Sequence, residues 1–205
     1  MSISYPLSLP TNTRIRTIDL TAINAVAYSQ SPFTFSGQAH AYSGQMWQAD
    51  ITLPAMRRSD ADQWITFLMS LRGQFGTFLL GDPVACSPRG LAGSFLGTPV
   101  ITNQTGGTIS VTGASRSKTN WLLAGDYIQI GTAADATLHK VLQNASTDGS
   151  GGTTLEVWPH VRGTRSGSIA VNNTVGNFRL SSNQQSWSVN EASIYGITFG
   201  AMEAL

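Results

Sequence analysis

Between Gln45 and Leu53 apolar and polar residues alternate without a break. Trp47, Ala49, Ile51 and Leu53 point one way; Met46, Gln48, Asp50 and Thr52 point the other. A period of two is the mark of a half-buried antiparallel strand. Pro54 ends it, because proline cannot donate to a sheet ladder. Shorter segments of the same kind recur down the chain, set apart by turn residues. Strands are predicted at 75–80, 99–102, 108–112, 127–131, 138–144, 153–158, 177–180 and 187–199. The turns include Gln104 to Gly107, Ala124-Gly125-Asp126 and Asp148 to Gly152, and the segment from Leu138 to Trp158 is predicted to be a hairpin around the last of them.

One segment carries a different period. Trp64, Phe67, Leu68 and Leu71 recur at i, i+3, i+4 and i+7, which predicts a helix over Ser59 to Arg72. Ser59 suits its N-cap, Asp60 and Asp62 the positive end of its dipole, Arg72 its last turn and Gly73 the left-handed position beyond. The five or six short strands between Gly90 and Ser182 fit a small Greek-key barrel of the OB type. The strand region at Trp187 to Phe199 has no place in that barrel and is assigned to the first unit. The predicted organisation is a β-sandwich with one α-helix, made of residues 1–89 and 183–205, carrying an inserted OB-like β-barrel at 90–182. Trp121, Tyr127, Trp158 and Phe178 are read as core.

Charge is scarce. Asp, Glu, Lys and Arg make up 11% of the 205 residues, and the net charge is +1, against a charged fraction of roughly 25% in ordinary soluble domains. No basic stripe for nucleic acid is present, no apolar run approaches the ~20 residues of a membrane span, and Met1 to Pro10 lacks the basic and apolar regions of a secretory signal. Folding in a cytoplasm is the expectation. The two longest uncharged stretches are Thr21 to Ala49 and Leu91 to Ser115. A surface so poor in charge suggests that much of it is covered in use.

The residues offer little for catalysis. Ser115-Arg116-Ser117-Lys118 matches a serine–lysine pattern, but the companion elements of that chemistry are missing and a solvated turn is the simpler reading. His40, His139 and His160 fall on different elements; His139 and His160 could approach across the hairpin, yet two imidazoles without a third ligand make a poor metal site. Single Cys86 is read as a buried or half-buried inert thiol. Asp82, Asp126 and Asp148 are explained by turns. No cofactor and no metal is expected, and no enzymatic activity. A dispersed acidic pair remains the one route to a hydrolase.

The order of elements resembles the distal tail proteins (Dit) of long-tailed bacteriophages. The strand from Trp47 to Pro54 precedes the aromatic helix Asp60 to Leu68, which leads through Gly73-Gln-Phe-Gly76 to the strand Thr77-Phe-Leu-Leu80 and Asp82-Pro83. A barrel follows, including Ala124-Gly-Asp-Tyr-Ile-Gln-Ile130 and His139-Lys-Val-Leu142, and the chain returns through Ala192-Ser-Ile-Tyr-Gly-Ile-Thr-Phe199 to Glu203-Ala-Leu205. The likeness spans nearly the whole length but lies in layout, and no single motif is diagnostic. It implies a structural virion protein, assembled in the host cytoplasm: a homohexameric ring between the tail tube protein and the tail-tip hub or baseplate protein, continuing the DNA channel. A fibre protein is a further partner it implies; sequence-specific nucleic acid and membrane are not. The alternative is an OB-like binding module that attaches a fibre protein or a host-surface glycan.

For the ring, the segment Thr21 to Ala49 is the expected contact. It lacks charge yet carries Ile23, Val26, Tyr28, Phe33 and Phe35, a composition depleted in charge and rich in aromatics, as interface cores are. The same residues also suit ordinary sandwich strands, and the sequence leaves both readings open.

Overall fold

The computed structural model describes residues 3–191 and 193–205. Its elements are β1 (Thr17–Gln30), β2 (Gly37–Thr52), β3 (Met56–Arg57), α1 (Arg58–Ser70), β4 (Thr77–Leu80), β5 (Gly97–Ala114), β6 (Tyr127–Ile130), β7 (Thr137–Val141), β8 (Thr153–Ala170), β9 (Gly176–Leu180), β10 (Trp187–Val189) and β11 (Ile194–Glu203). Every pairing between these strands is antiparallel. The fold is mainly β, with one α-helix among the described residues.

The larger sheet runs β1-β2-β11-β9-β4, with β3 and β10 pairing the first part of β11. Alternation in β2 does what its pattern dictates: Trp47, Ala49, Ile51 and Leu53 are buried, while Asp50 between them is exposed. β11 lies beside it, Phe199 opposite Ile51 and Ala201 opposite Ala49. Ala192, the first residue of the expected returning strand, lies outside the described residues. At the far end of the sheet the N-terminal segment seals β4: Leu7 pairs with Phe78, donating to the Thr77 carbonyl and accepting from Leu79 N–H.

Helix α1 covers this core with the predicted stripe. Trp64, Phe67, Leu68 and Leu71 are all buried, the Phe67 ring 5.6 Å from Phe78 and Trp64 6.2 Å from Phe199. Its start differs from expectation. Arg57, not Ser59, is the N-cap, extended and without a side-chain cap. The reason is that β3 feeds the helix directly: Arg57 is held opposite Ile194 on β11, so the extended-to-helical switch occurs there and Ser59 falls inside the first turn. The helix also ends earlier. Arg72 lies beyond it in the left-handed region at φ 52°, followed by Gly73 at φ 67°; a Cβ on Gly73 would lie 2.7 Å from Asn183 Oδ1.

The smaller sheet runs β5-β8-β6-β7, and β8 also pairs with β7, so the sheet curls back on itself around Ile101, Ile109, Trp121, Ile128, Leu155 and Val157. It has fewer and longer strands than the sequence suggests. The turn expected at Gln104 to Gly107 is a bulged stretch inside β5, where the register to β8 shifts three times and Asn103 and Gly106 take positive φ. The strand expected to stop at Trp158 continues as β8 through Gly163 to Ala170. β9 falls within the 90–182 stretch expected to form the barrel, yet it pairs with β4 and β11, and its Phe178 and Leu180 are buried in the larger core. The strands of the curled sheet therefore lie between Gly97 and Ala170. Trp121, Tyr127 and Phe178 are buried as expected, and Trp158 is half-buried.

Candidate subunit interface

The first two strands make a hairpin far longer than the sheet it belongs to. β1 and β2 stay paired from Thr17↔Thr52 to Gln30↔Gly37, with one irregularity between Asn24 and Val26. β11 pairs with β2 only as far as Gln48. The root of the hairpin is gripped by β8: Trp158 Nε1 donates to Asn24 Oδ1 at 2.7 Å, His160 N–H donates to Gln45 Oε1 at 2.8 Å, and Arg162 donates to the Gln45 carbonyl. Beyond that root the strands pair only with each other. Six residues of β1, Ala25 to Gln30, rise at about 3.4 Å each, so the arm projects roughly 20 Å before its turn.

The tip is a tightly bonded turn. Ser31 N–H donates to the Ser36 carbonyl and Phe35 N–H to the Ser31 carbonyl, both at 3.0 Å. Ser31 Oγ accepts from the Phe33 and Thr34 amides, and Gln30 Nε2 donates to the Phe35 carbonyl at 2.9 Å. Phe35 sits at φ 56°, an uncommon conformation for a bulky residue. It is held there by those bonds, and its ring and that of Phe33 are turned to solvent.

Four of the five residues expected at an interface are exposed on this arm: Val26 53%, Tyr28 63%, Phe33 92% and Phe35 74%. Ile23, at the root, is half-buried. The sandwich-core reading of these residues does not hold within the chain. The sequence reading missed Tyr42, 57% exposed on the same arm, its ring 4.8 Å from His40; its aromatic character within the uncharged run was the available signal. The Tyr28 ring lies over Gly37, where a Cβ would clash with the tyrosine oxygen, so glycine at this position makes room for the ring.

Other residues singled out in the sequence are scattered over the fold. Ser115 to Lys118 form a turn, with Lys118 Nζ 4.1 Å from the Phe95 ring centre. His139 is buried, its Nδ1 2.7 Å from the Pro159 carbonyl and its Nε2 2.9 Å from Thr137 Oγ1; burial drives its pKa down to about 4. His40 and His160 are exposed, and no group of three His, Cys, Asp or Glu among the described residues could hold a metal. Cys86 is exposed rather than buried. It belongs to a turn capped by Asp82, whose Oδ1 accepts from the Val84 and Ala85 amides; Ala85 packs against the larger core, while the Cys86 thiol donates to the Pro83 carbonyl at the surface. Asp126 is buried and accepts from the amides of Arg89, Gly90 and Leu123. Asp148 is a turn residue whose carboxylate accepts from Ser150 Oγ and from the Ser150 and Gly152 amides; these bonds lower its pKa. No described helix is long and apolar enough to cross a membrane.

Neither a family model nor a curated protein matches the chain.

Proposed function

We propose that the chain is a structural protein of a phage tail tip, assembling through its β1–β2 arm into a ring that joins tail tube to hub or baseplate and continues the DNA channel. The observation that carries this reading is the arm. Its four exposed aromatics, Tyr28, Phe33, Phe35 and Tyr42, each of roughly 200 Å², together offer about 600 Å² of mostly apolar surface over the two faces and the tip of the arm. Tyr28 shares a face with Val26 and Ala39, and Tyr42 lies on the other face with His40, so the arm presents aromatics on both sides and at its tip, and exposed apolar surface of this kind marks interaction sites. The ring and its sixfold order come from the resemblance in layout to distal tail proteins; the arm supports burial, not symmetry. The carboxylates at turns and at the helix start, each with a structural task, fit a scaffold better than a hydrolase.

Light scattering and circular dichroism on Val26→Asp with Tyr28→Asp test the reading. A desolvated carboxylate at a subunit contact is costly, so the expected product is a monomer with native β signal from a wild type that forms rings. Intact rings in the variant, or a monomeric wild type, would overturn it.

A further inference from the structure

In the assembly read above the arm of one copy meets a surface of the next, and of the several surface depressions of similar size one is lined by no cation, whereas the others carry Arg14, Arg16 or Lys140. Between the N-terminal segment and α1 lies a shallow, open depression of about 540 Å³, lined by Leu7, Pro10, Thr66 and Phe67 with Gln63 and Ser70 among its polar residues. An enclosed apolar cavity of roughly 150 Å³ accommodates a benzene ring, and this larger, open depression can take two phenyl rings laid against Leu7 and Phe67. We infer that Phe33 and Phe35 of one copy seat in the depression between Leu7–Pro10 and α1 of a second copy, an inference that rests on the assembly reading above.

Three observations choose this occupant. The arm grows from the β1 end of the larger sheet, whereas Leu7 closes the opposite end by pairing with Phe78 on β4. Donor and acceptor are therefore different surfaces at opposite ends of one sheet, and such a contact is heterologous and repeats from copy to copy until the rotation closes. Charge also agrees. The one charged residue lining the depression, Asp62, already pairs with Arg58 at 3.4 Å, and the tip brings no charge, so docking strands no ion. Finally, the turn bonds at Ser31 fix Phe35 in its left-handed conformation before any contact is made, which lowers the ordering cost of docking two rings.

Disulfide trapping tests this in a Cys86→Ser background. Phe33→Cys combined with Thr66→Cys is oxidised mildly and run on a denaturing gel beside light scattering of the native sample. The expected result is a ladder of covalent oligomers in the double variant, absent from either single variant. A second pair, Phe35→Cys with Gln63→Cys, repeats the measurement with differently placed thiols, and circular dichroism confirms the fold of each. Rings by light scattering without a ladder in either pair would overturn the docking site and leave the ring reading intact. A folded, monomeric protein without a ladder would overturn both. A covalent product that stops at two chains would support the depression as the acceptor and overturn the ring.

Discussion

Arg162 on β8 and Glu203 on β11 form a two-toothed ion pair across the join between the two sheets, Nη1 to Oε1 and Nη2 to Oε2 both at 2.8 Å. The glutamate side chain is almost fully buried, and its Oε2 also accepts from the Trp47 amide at 3.2 Å. Two parallel charge-assisted bonds fix geometry as well as energy. Arg162→Leu would leave the Glu203 carboxylate buried with only the Trp47 amide from this set. Loss of one partner of a buried pair typically costs on the order of 3–5 kcal/mol, and because the arginine is a third exposed the lower end, about 3 kcal/mol, is expected in urea unfolding. A change below about 0.5 kcal/mol, the scale of exposed pairs, would show that the pair does not tie the sheets together.

Stability should fall with acid through His139. Burial is the largest cause of its lowered pKa, opposed by the hydrogen bond to the Pro159 carbonyl and by Glu203, and reinforced by Arg162 and Arg165. Between an ordinary value of 6.5 and the folded value of about 4, the unfolded chain binds a proton that the folded one does not. Stability is therefore fully present above pH 6.5 and declines as pH falls towards 4, by about 3 kcal/mol in all. His139→Gln should flatten the difference between urea midpoints at pH 7.5 and pH 4.5; an unchanged difference would place the acid sensitivity elsewhere.

Trp64 separates packing from hydrogen bonding. Its ring is buried against Phe67 and Phe199, and its Nε1 has no partner among the described residues. Trp64→Ala should cost about 3–5 kcal/mol, as for other large aromatic truncations in a core. Trp64→Phe keeps much of the ring and gives up no hydrogen bond, so it should cost markedly less, about 1–2 kcal/mol. Thermal or urea unfolding of the two variants reads the contrast directly, and equal costs would contradict it.

Removing residues 187–205 takes β11 from the middle of the larger sheet, between β2 and β9. The truncated protein should lose its cooperative thermal transition, because Ile51, Phe178 and Leu180 lose the strand that joins their neighbours and two bare edges appear. A transition unchanged in midpoint would be incompatible with this topology.

The sequence is most legible where one face of an element is buried. The alternation of β2 and the helical stripe of α1 both follow from that, and the helix boundaries do not, since they depend on a pairing between Arg57 and Ile194 that is 137 residues long in sequence. The arm is half legible. Its composition points to burial, but an exposed aromatic strand and a core strand share one pattern, and only the point where β11 stops pairing separates them. Glu203 carries no signal at all: nothing beside it announces Arg162 across the fold. β9 reads equally well as a barrel strand, because Phe178 and Leu180 would be inward-facing in either sheet.

β2 alone connects β1 to the rest of the larger sheet: β1 pairs along its whole length, and β11 pairs only with its inner end, Gln48 to Thr52. A tug on the tip thus travels lengthwise down both strands and enters β11 through β2. It reaches β11 as a sideways slide between two ladders, where the bonds from Thr52↔Thr198 to Gln48↔Met202 must yield together and not one after another. The grip of Arg162 on the Gln45 carbonyl and on Glu203 then shares the load with the curled sheet. The pairing consequently resists a pull along the hairpin axis, which loads these bonds together, better than a pull across it, which loads them in turn.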